Sequence, residues 1–251
     1  MRTWSSADGL VRVVIDESVA TITLDNAANR NCVSLAMSLA VVSAVDYVNA
    51  SSDVSVAILT AVGPVFAAGS EVGPLASPGD PLAGVSVGSQ ALGKLVMPSI
   101  AAVNGPATGA GVNFAIACDV IVAARSAVFE SSFLDAAIHP DGGHLWHLNR
   151  LAGRQATAAI VIFGERLSAE QAQAIGMVWS VVDDDQLMEE ALRLARRVTA
   201  RSNDLVRRTK ATLIASLPIT TERVAVDLEQ AQREWSVAQP AFLEVTQVSG
   251  C

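Results

Sequence analysis

A chain of 251 residues, 51% of them hydrophobic, is long enough for one large domain or for a domain with a small appendage. Its net charge of -8 argues against nonspecific nucleic-acid binding, which depends on Lys and Arg side chains that neutralise phosphates. Polar residues interrupt the longest apolar region, so the sequence predicts no membrane-spanning segment, and the N-terminus does not resemble a signal peptide. Cys32, Cys118 and Cys251 lack metal-type spacing and indicate free thiols, which favours a cytoplasmic protein.

Strand-like and helix-like segments alternate along the larger, N-terminal part of the chain. Residues 35–49 are typical of a helix, and Ser168 with Gln171 can form a capping box at the start of another. Residues 74–88 are rich in Pro, Gly and Ser and predict a mobile flap near a site. The alternation favours an α/β architecture of strand-turn-helix units. The predicted strands cover residues 10–15, 20–24, 54–59, 99–103 and 120–123.

From about residue 185 onward the pattern becomes wholly helical. A second helix of this region spans residues 203–216, and a last one follows Thr220 or Thr221. We therefore expect a core over residues 1–184 and a helical C-terminal region over residues 185–251. The first helix of that region has one apolar face, formed by Leu187, Ala191, Leu194, Ala195 and Val198.

Two turns of small residues each follow a predicted strand. Residues 65–71 read Val-Phe-Ala-Ala-Gly-Ser-Glu, and residues 104–111 read Asn-Gly-Pro-Ala-Thr-Gly-Ala-Gly, directly before an apolar helix. Side chains this small leave the backbone N–H groups open to a ligand carbonyl. Each turn alone also fits a tight connection between packed elements. Two such turns together can supply two opposed hydrogen-bond donors.

These two turns, followed by Cys118-Asp119 at the start of a later strand, resemble the enoyl-CoA hydratase/isomerase (crotonase) superfamily. Residues 19–24 and 168–182 extend the resemblance over nearly the whole chain. It implies a crotonase-like ββα spiral core, an acyl-CoA thioester as the substrate, and no cofactor beyond the CoA moiety of that substrate. It also implies C-terminal helices that cover the acyl pocket and build a homotrimer or a dimer of trimers. The reaction is a separate inference, because one fold supports many reactions.

The resemblance places an oxyanion hole at the backbone N–H groups of Ser70 and Ala110. Such donors stabilise the charge that develops on a thioester oxygen. The family often carries a basic residue where this chain has Ala28, and Arg30, two residues later, is either a CoA-binding residue or a solvated surface arginine. The other substrate-binding positions that the resemblance implies are Ala68, Gly69, Gly109 and Phe133.

The two glutamates that deliver water in hydratases of this family fall at Asn113 and Phe133. An Asn side chain can orient water but cannot take its proton, and a Phe side chain can do neither. Glu130 and Asp135 lie close to the second position and enter the pocket only if the local backbone differs. The sequence therefore argues against ordinary two-glutamate hydration.

Asp141 is the alternative base. Residues 138–144, Ile-His-Pro-Asp-Gly-Gly-His, resemble the Pro-Asp-x-Gly-Gly turn of the branch that includes ring-epoxide phenylacetyl-CoA isomerases, in which the Asp is implicated in shuttling a proton. Asp141 also fits a helix N-cap. His144 stands where relatives usually have glycine, and it either narrows the acyl pocket, acts as an auxiliary base or lies on the surface.

The function predicted from these residues is an acyl-CoA isomerase that shifts a double bond, or rearranges an acyl-CoA thioester, through an enolate. An enoyl-CoA hydratase with atypical acid and base residues and a noncatalytic acyl-CoA-binding protein remain open alternatives. His139, His144 and His147 share one segment, but we expect no metal site, because ligands on one short helix rarely converge without help from elsewhere.

Overall fold

The computed structural model describes residues 1–70 and 84–242, whose strands form two sheets. The strands are β1 (Arg2–Ser5), β2 (Val11–Asp16), β3 (Val19–Leu24), β4 (Val56–Ala61), β5 (Ser99–Val103), β6 (Ala107–Thr108), β7 (Val120–Ala124), β8 (Val128–Glu130), β9 (Leu167–Ser168) and β10 (Ser180–Val182). The helices are α1 (Leu35–Asn49), α2 (Val87–Leu92), α3 (Ala110–Ile116), α4 (His144–Val161), α5 (Ala169–Ala174), α6 (Leu187–Thr199), α7 (Asn203–Ser216) and α8 (Glu222–Val237). The predicted α/β class with a helical C-terminal region is confirmed.

The larger sheet has the strand order β1-β2-β3-β4-β5-β7-β10. Strands β1 to β3 pair antiparallel, and the pairs from β3 onward are parallel. Every residue of β5 is buried, which fits a parallel strand that is covered on both faces. The smaller sheet has the order β6-β8-β9 and lies where the two small-residue turns leave the larger one.

Helices cover both faces of the larger sheet. On one side, α1 and α3 pack into the main core, which includes Met37, Val41 and Phe114. On the other side, Leu187 and other apolar residues of α6 contact buried residues of the parallel strands. The apolar face predicted for residues 187–198 is thus the face that packs on the sheet. Burial of apolar area on both sides positions the carboxyl ends of the strands, where the turns begin.

Helix α7 is tied to the sheet by a buried lysine. The Nζ atom of Lys210, which is 7% exposed, donates to the Met97 carbonyl at 2.9 Å and to Oδ2 of Asp119 at 2.7 Å. The same Asp119 oxygen accepts the N–H of Ser99 at 2.8 Å and its hydroxyl at 3.0 Å. One carboxylate therefore joins the C-terminal helices to strand β5.

The predicted strands at residues 10–15, 20–24, 99–103 and 120–123 agree with the structure to within about a residue, and β4 begins two residues later than predicted. Strand β1 and helix α2 were not predicted. Of the predicted flap at residues 74–88, residues 74–83 lie outside the described residues, and its last two residues begin α2. In the part of the chain that the structure describes, no helix is long and apolar enough to cross a membrane.

Candidate active site

The two small-residue turns lie side by side. Ala67 forms an isolated parallel bridge with Ala107, and the Thr108 N–H donates to the Ala67 carbonyl at 3.0 Å. A Cβ atom added at Gly111 would overlap that same carbonyl oxygen. A glycine at position 111 is therefore what allows α3 to start directly against the first turn.

Gly109 joins β6 to α3 in a conformation that favours glycine, with φ at 51° and ψ at -114°. Its own N–H donates to the Glu130 carbonyl at 2.8 Å. A Cβ atom added here would lie 3.7 Å from the Cα of Gly69, so a side chain at position 109 would contact the first turn. Within residues 1–70 and 84–242, neither the Ser70 N–H nor the Ala110 N–H donates to another group of the chain. No group in this part of the chain therefore competes with a ligand for these two donors.

A cavity of about 350 Å³ opens at these turns. Residues 30–141 supply all of the lining residues that the structure describes. The cavity brings together eight of the predicted site residues: Arg30, Ala68, Gly69, Ser70, Gly109, Ala110, Phe133 and Asp141.

A backbone hydrogen bond joins the loop after β3 to the first small-residue turn, at one side of the cavity. The Arg30 carbonyl accepts the Ala68 N–H at 3.0 Å, and Arg30 itself is exposed with φ at 52°. Arg30 therefore lies at the rim of the cavity. Ala28 is not brought to the cavity: it lies on the exposed 3₁₀ helix Ala27–Asn29 and is outside the lining that the described residues form.

Two carboxylate residues line the cavity. Asp141 precedes α4, and Glu130 ends β8, where its Oε1 lies 3.5 Å from Nε of Arg166. Asp135 is exposed and is not among the described lining residues. The N-cap of α4 is Gly143, with no side-chain capping hydrogen bond, so the alternative that Asp141 occupies the N-cap position of this helix is wrong. Two consecutive glycines with positive φ push the helix start beyond Asp141.

Asn113 and His144 lie behind the cavity lining and form a buried hydrogen-bond network. Nδ1 of His144 is 2.7 Å from Oδ1 of Asn113, and Nε2 is 3.0 Å from Oγ of Ser131. The Asn113 amide nitrogen donates to the Asp141 carbonyl at 3.1 Å. His144 is 1% exposed, so the alternative of a surface histidine is wrong: the start of α4 packs against α3 and takes the ring inside.

The network sets the protonation of the His144 ring. Because the Asn113 amide nitrogen donates to a carbonyl, its Oδ1 is the atom that faces Nδ1, and Nδ1 must carry the proton. Nε2 then accepts from the Ser131 hydroxyl. Burial and, to a smaller extent, the charge of His147 together lower the pKa of His144 to about 4. The ring is therefore neutral at pH 7, with both nitrogens engaged.

Phe133 forms the boundary between this network and the cavity. Its ring is 7% exposed and meets the His144 ring edge-on, with centroids 4.9 Å apart and an interplanar angle of 65°. Because Phe133 lines the cavity, an apolar ring stands where the resemblance places the second hydratase glutamate. Among the described residues, no three His, Cys, Asp or Glu side chains are grouped so as to hold a metal ion.

The family model described as enoyl-CoA hydratase/isomerase matches residues 14–239. The chain belongs to the enoyl-CoA hydratase/isomerase family. A probable enoyl-CoA hydratase of Mycobacterium tuberculosis is 35% identical to it over 242 residues, which cover 92% of this chain and 94% of that protein. A 1,2-epoxyphenylacetyl-CoA isomerase of Escherichia coli is 35% identical over 201 residues, which cover 74% of this chain and 75% of the isomerase.

Solved members of the enoyl-CoA hydratase/isomerase family share the fold. The crystal structure of an enoyl-CoA hydratase from Bacillus anthracis aligns with a TM-score of 0.90 at 26% identity and covers 96% of each chain. Human enoyl-CoA hydratase domain-containing protein 3 aligns with a TM-score of 0.89 at 27% identity, over 96% of this chain and 98% of that one. The crotonase fold that the motifs predict is confirmed. The relatives carry both hydratase and isomerase names, so membership of the family leaves the reaction open.

Sequence reasoning missed Ser131, the residue that closes the buried network. It is 3% exposed and directly follows β8, and a serine at a strand end is common in connections of every kind. The only signal was its place between two residues that were already of interest, Glu130 and Phe133. Its partner, His144, lies 13 positions further along the chain.

Proposed function

We propose that this protein is an acyl-CoA isomerase that shifts a double bond, or rearranges an acyl-CoA thioester, through an enolate. The observation that carries the proposal is the shared cavity: Asp141 lines the same space as Ser70 and Ala110, whose N–H groups have no acceptor in the described part of the chain. A base and two donors at one cavity are what enolate chemistry requires.

In the proposed reaction, the substrate carbonyl oxygen accepts hydrogen bonds from the Ser70 and Ala110 N–H groups. The Asp141 carboxylate removes a proton from the carbon alpha to the thioester, and the electron pair of that C–H bond moves to the oxygen as the enolate forms. The carboxylic acid then returns the proton at another carbon, and the double bond moves. Proton and charge balance without a second base, a redox cofactor or added water. CoA enters only as part of the substrate.

Binding of the CoA moiety is proposed for the rim of the cavity. Arg30 is the basic residue among the described lining residues of the cavity, and its backbone carbonyl accepts the Ala68 N–H. A guanidinium suits the phosphates of CoA because it presents several donors in a fixed plane. Ala28, which the resemblance aligns with a basic residue of the family, adds no charge there, so Arg30 takes the larger share of this role.

The isomerase assignment is supported by one relative and by two side chains. The 35% identical protein of Escherichia coli is named a 1,2-epoxyphenylacetyl-CoA isomerase. Asn113 holds the Asp141 backbone and has no acidic group, and Phe133 is apolar, so neither can activate a water molecule as a base. The chemistry that remains needs one carboxylate.

An enoyl-CoA hydratase is the second candidate, and one observation favours it. Glu130 lines the cavity together with Asp141, so two carboxylate residues face the same space. The Arg166 guanidinium lies beside Glu130, with its Nε 3.5 Å from the Glu130 Oε1. Water addition to crotonyl-CoA that disappears in Glu130→Gln and persists in Asp135→Asn would support hydration. Asp135 is the matched control because it is an exposed carboxylate outside the described lining.

The assembly proposed is a homotrimer or a dimer of trimers, as in the family that the chain resembles. Large apolar side chains support it, since Phe163 is 80% exposed and Trp179 is 67% exposed in the single chain. Large exposed aromatic side chains are common at subunit interfaces. Light scattering of the purified protein measures the state directly, and a monomer at micromolar concentration would contradict this part of the proposal.

The isomerase proposal is tested with Asp141→Asn and Asp135→Asn. Over a panel of enoyl-CoA and ring-containing acyl-CoA thioesters, we expect the first variant to lose isomerisation by roughly 10²- to 10⁴-fold and the second to retain it. Calorimetry with an unreactive acyl-CoA thioether should give similar Kd values for both. Full turnover by Asp141→Asn would contradict the mechanism. Tight binding without turnover by the unmodified protein would instead favour the noncatalytic acyl-CoA binder.

A further inference from the structure

The Asp141 carbonyl belongs to a closed ring of hydrogen bonds. It accepts the backbone N–H of His144 at 3.1 Å and the side-chain amide of Asn113 at 3.1 Å. The ring closes where the His144 Nδ1–H donates to the Asn113 Oδ1 at 2.7 Å. His144 thus reaches the Asp141 carbonyl twice, once through its own backbone and once through Asn113.

The turn that this ring of hydrogen bonds holds contains two glycines. Gly142 has φ at 65° and Gly143 has φ at 83°, and neither has a side chain that packs. A Cβ atom added at Gly142 would lie 2.9 Å from the Asn113 amide nitrogen, so that amide fills the space over the turn. Glycine is the most flexible residue, and two in succession leave the position of Asp141 dependent on what surrounds the turn.

The ring of hydrogen bonds is also joined to the end of strand β8, which lies beside the second small-residue turn. The Ser131 hydroxyl donates to Nε2 of His144 at 3.0 Å, and both groups are buried. The carbonyl of Glu130, the residue before Ser131, accepts the backbone N–H of Gly109 at 2.8 Å, and Gly109 directly precedes Ala110. A continuous series of contacts therefore runs from the backbone of Asp141 to the second small-residue turn, which carries the Ala110 N–H.

We propose that His144 is a positioning residue: its neutral ring orients Asn113, which holds the Asp141 carbonyl, and so sets the Asp141 carboxylate relative to the Ser70 and Ala110 donors. This role rests on the proposed function. It differs from an auxiliary base, because both ring nitrogens are engaged and Phe133 lies between the ring and the cavity. Proton transfer depends steeply on the placement of the base, so a small displacement of Asp141 lowers the rate more than it lowers affinity.

A matched pair of variants isolates the hydrogen bond from the packing. Asn and Leu have nearly the same shape, and only Asn places an N–H donor where Nδ1 of His144 lies. We expect His144→Leu to lower kcat by roughly 10- to 100-fold with KM changed by less than about threefold. On a logarithmic scale, His144→Asn should recover at least about half of the loss in kcat that His144→Leu causes. Circular dichroism and a melting curve confirm that both variants are folded.

Two readouts separate this role from a purely structural one. Deuterium uptake from D₂O at the alpha carbon of a saturated acyl-CoA measures proton removal by Asp141, and it should fall in His144→Leu in parallel with kcat. The Kd of an unreactive amide analogue of the acyl-CoA, whose carbonyl oxygen can reach the Ser70 and Ala110 N–H groups, should stay within about threefold. Equal kcat values for His144→Leu and His144→Asn, or losses of kcat and affinity in equal proportion, would overturn the positioning role.

The outcomes distinguish this inference from the proposed function. If the unmodified protein exchanges no alpha proton and isomerises no thioester, both fail. If it does both and Asp141→Asn does neither, the proposed function stands, and the paired variants decide the role of His144. Should His144→Leu not fold, Ser131→Ala takes its place, because it removes only the hydroxyl donor to Nε2. We then expect kcat to fall by about fivefold at unchanged Kd, and an unchanged kcat would overturn the proposal.

Discussion

The side-chain amide nitrogen of Asn113 lies 3.1 Å from the backbone carbonyl oxygen of Asp141. The family resemblance aligns Asn113 with a glutamate that hydratases use to deliver water. An ionised glutamate has acceptors only and could not donate to the Asp141 carbonyl. In this chain the position therefore contributes a donor that holds another residue, and it contributes no base.

Gly109→Ala is expected to reduce both activity and stability. The residue has φ at 51° and ψ at -114°, which a side chain disfavours, and the new Cβ would lie 3.2 Å from Oγ of Ser132. Relief of this strain would reorient the N–H of Ala110, the residue that directly follows Gly109. We expect kcat to fall by roughly 10²-fold and the free energy of unfolding to fall by about 1 to 3 kcal/mol. Steady-state kinetics and urea denaturation measure the two effects.

The control for this variant is Gly164→Ala. Gly164 has φ at 72°, is exposed, and has nothing within 4 Å of an added Cβ. It carries similar backbone strain and is not among the described lining residues of the cavity, so we expect a loss of about 1 kcal/mol of stability and no change in kcat. Equal kcat losses in both glycine variants would show that strain alone, and not the direction of the donor, lowers the rate.

Phe133→Leu is expected to shift acyl preference toward bulkier groups. The Phe133 ring lines the cavity of about 350 Å³ and has the buried His144 ring behind it. A smaller side chain lengthens the cavity on that side. The ratio of kcat/KM for a ring-containing acyl-CoA to that for a four-carbon acyl-CoA should rise by about tenfold. Leu134→Ala, in the next residue and 50% exposed, should leave the ratio unchanged. A ratio unaffected by Phe133→Leu would place the acyl group elsewhere.

The sequence predicts that the two turns lie together, because turns whose backbones approach closely need small residues at neighbouring positions. Residues 65–71 and 104–111 contain the small residues that close approach of two backbones requires, and each follows a strand. Gly109 and Gly111 occupy positions where a side chain is disfavoured by φ or by the Ala67 carbonyl. Patterns of this kind are visible without knowledge of the tertiary contacts.

The buried network did not follow from sequence because its contacts are not local. Asn113 and His144 are 31 positions apart, and they meet only because the start of α4 packs on α3. Nothing in the residues around His144 distinguishes a histidine that turns inward from one that faces water. Helix α2 was missed for a related reason: its six residues include glycine and serine, which have low helix propensity, and burial of Leu92 in the core stabilises it.

Lys210→Met is expected to destabilise the attachment of α7. Lys210 is 7% exposed and donates to the Asp119 carboxylate and to the Met97 carbonyl. Removal of the ammonium leaves both acceptors without that donor, although Ser99 still binds Asp119. We expect a loss of about 2 to 3 kcal/mol in the free energy of unfolding by urea. Lys94→Met, at an exposed lysine, should change it by less than about 0.5 kcal/mol. Equal effects would mean that the ion pair adds nothing to stability.

The lowered pKa of His144 makes the free energy of unfolding depend on pH. Burial lowers its pKa from an ordinary value of 6.5 to about 4 in the folded protein. Between these two pH values the unfolded chain holds a proton on this ring and the folded protein does not. The contribution of His144 is therefore complete above about pH 6.5 and is lost as the pH falls toward 4.

The expected loss between pH 7 and pH 4 is about 3 kcal/mol, since each unit of pKa difference corresponds to about 1.4 kcal/mol. Other groups titrate over the same range, so the measurement is a difference: urea unfolding of the unmodified protein and of His144→Asn, each at several pH values from 7.5 to 4.5. The Asn variant has no titrating ring at this position, and its stability should fall less steeply below pH 6.5. Parallel curves for the two proteins would mean that the ring takes up its proton without cost in the folded state, which contradicts the neutral, doubly hydrogen-bonded ring between Asn113 and Ser131.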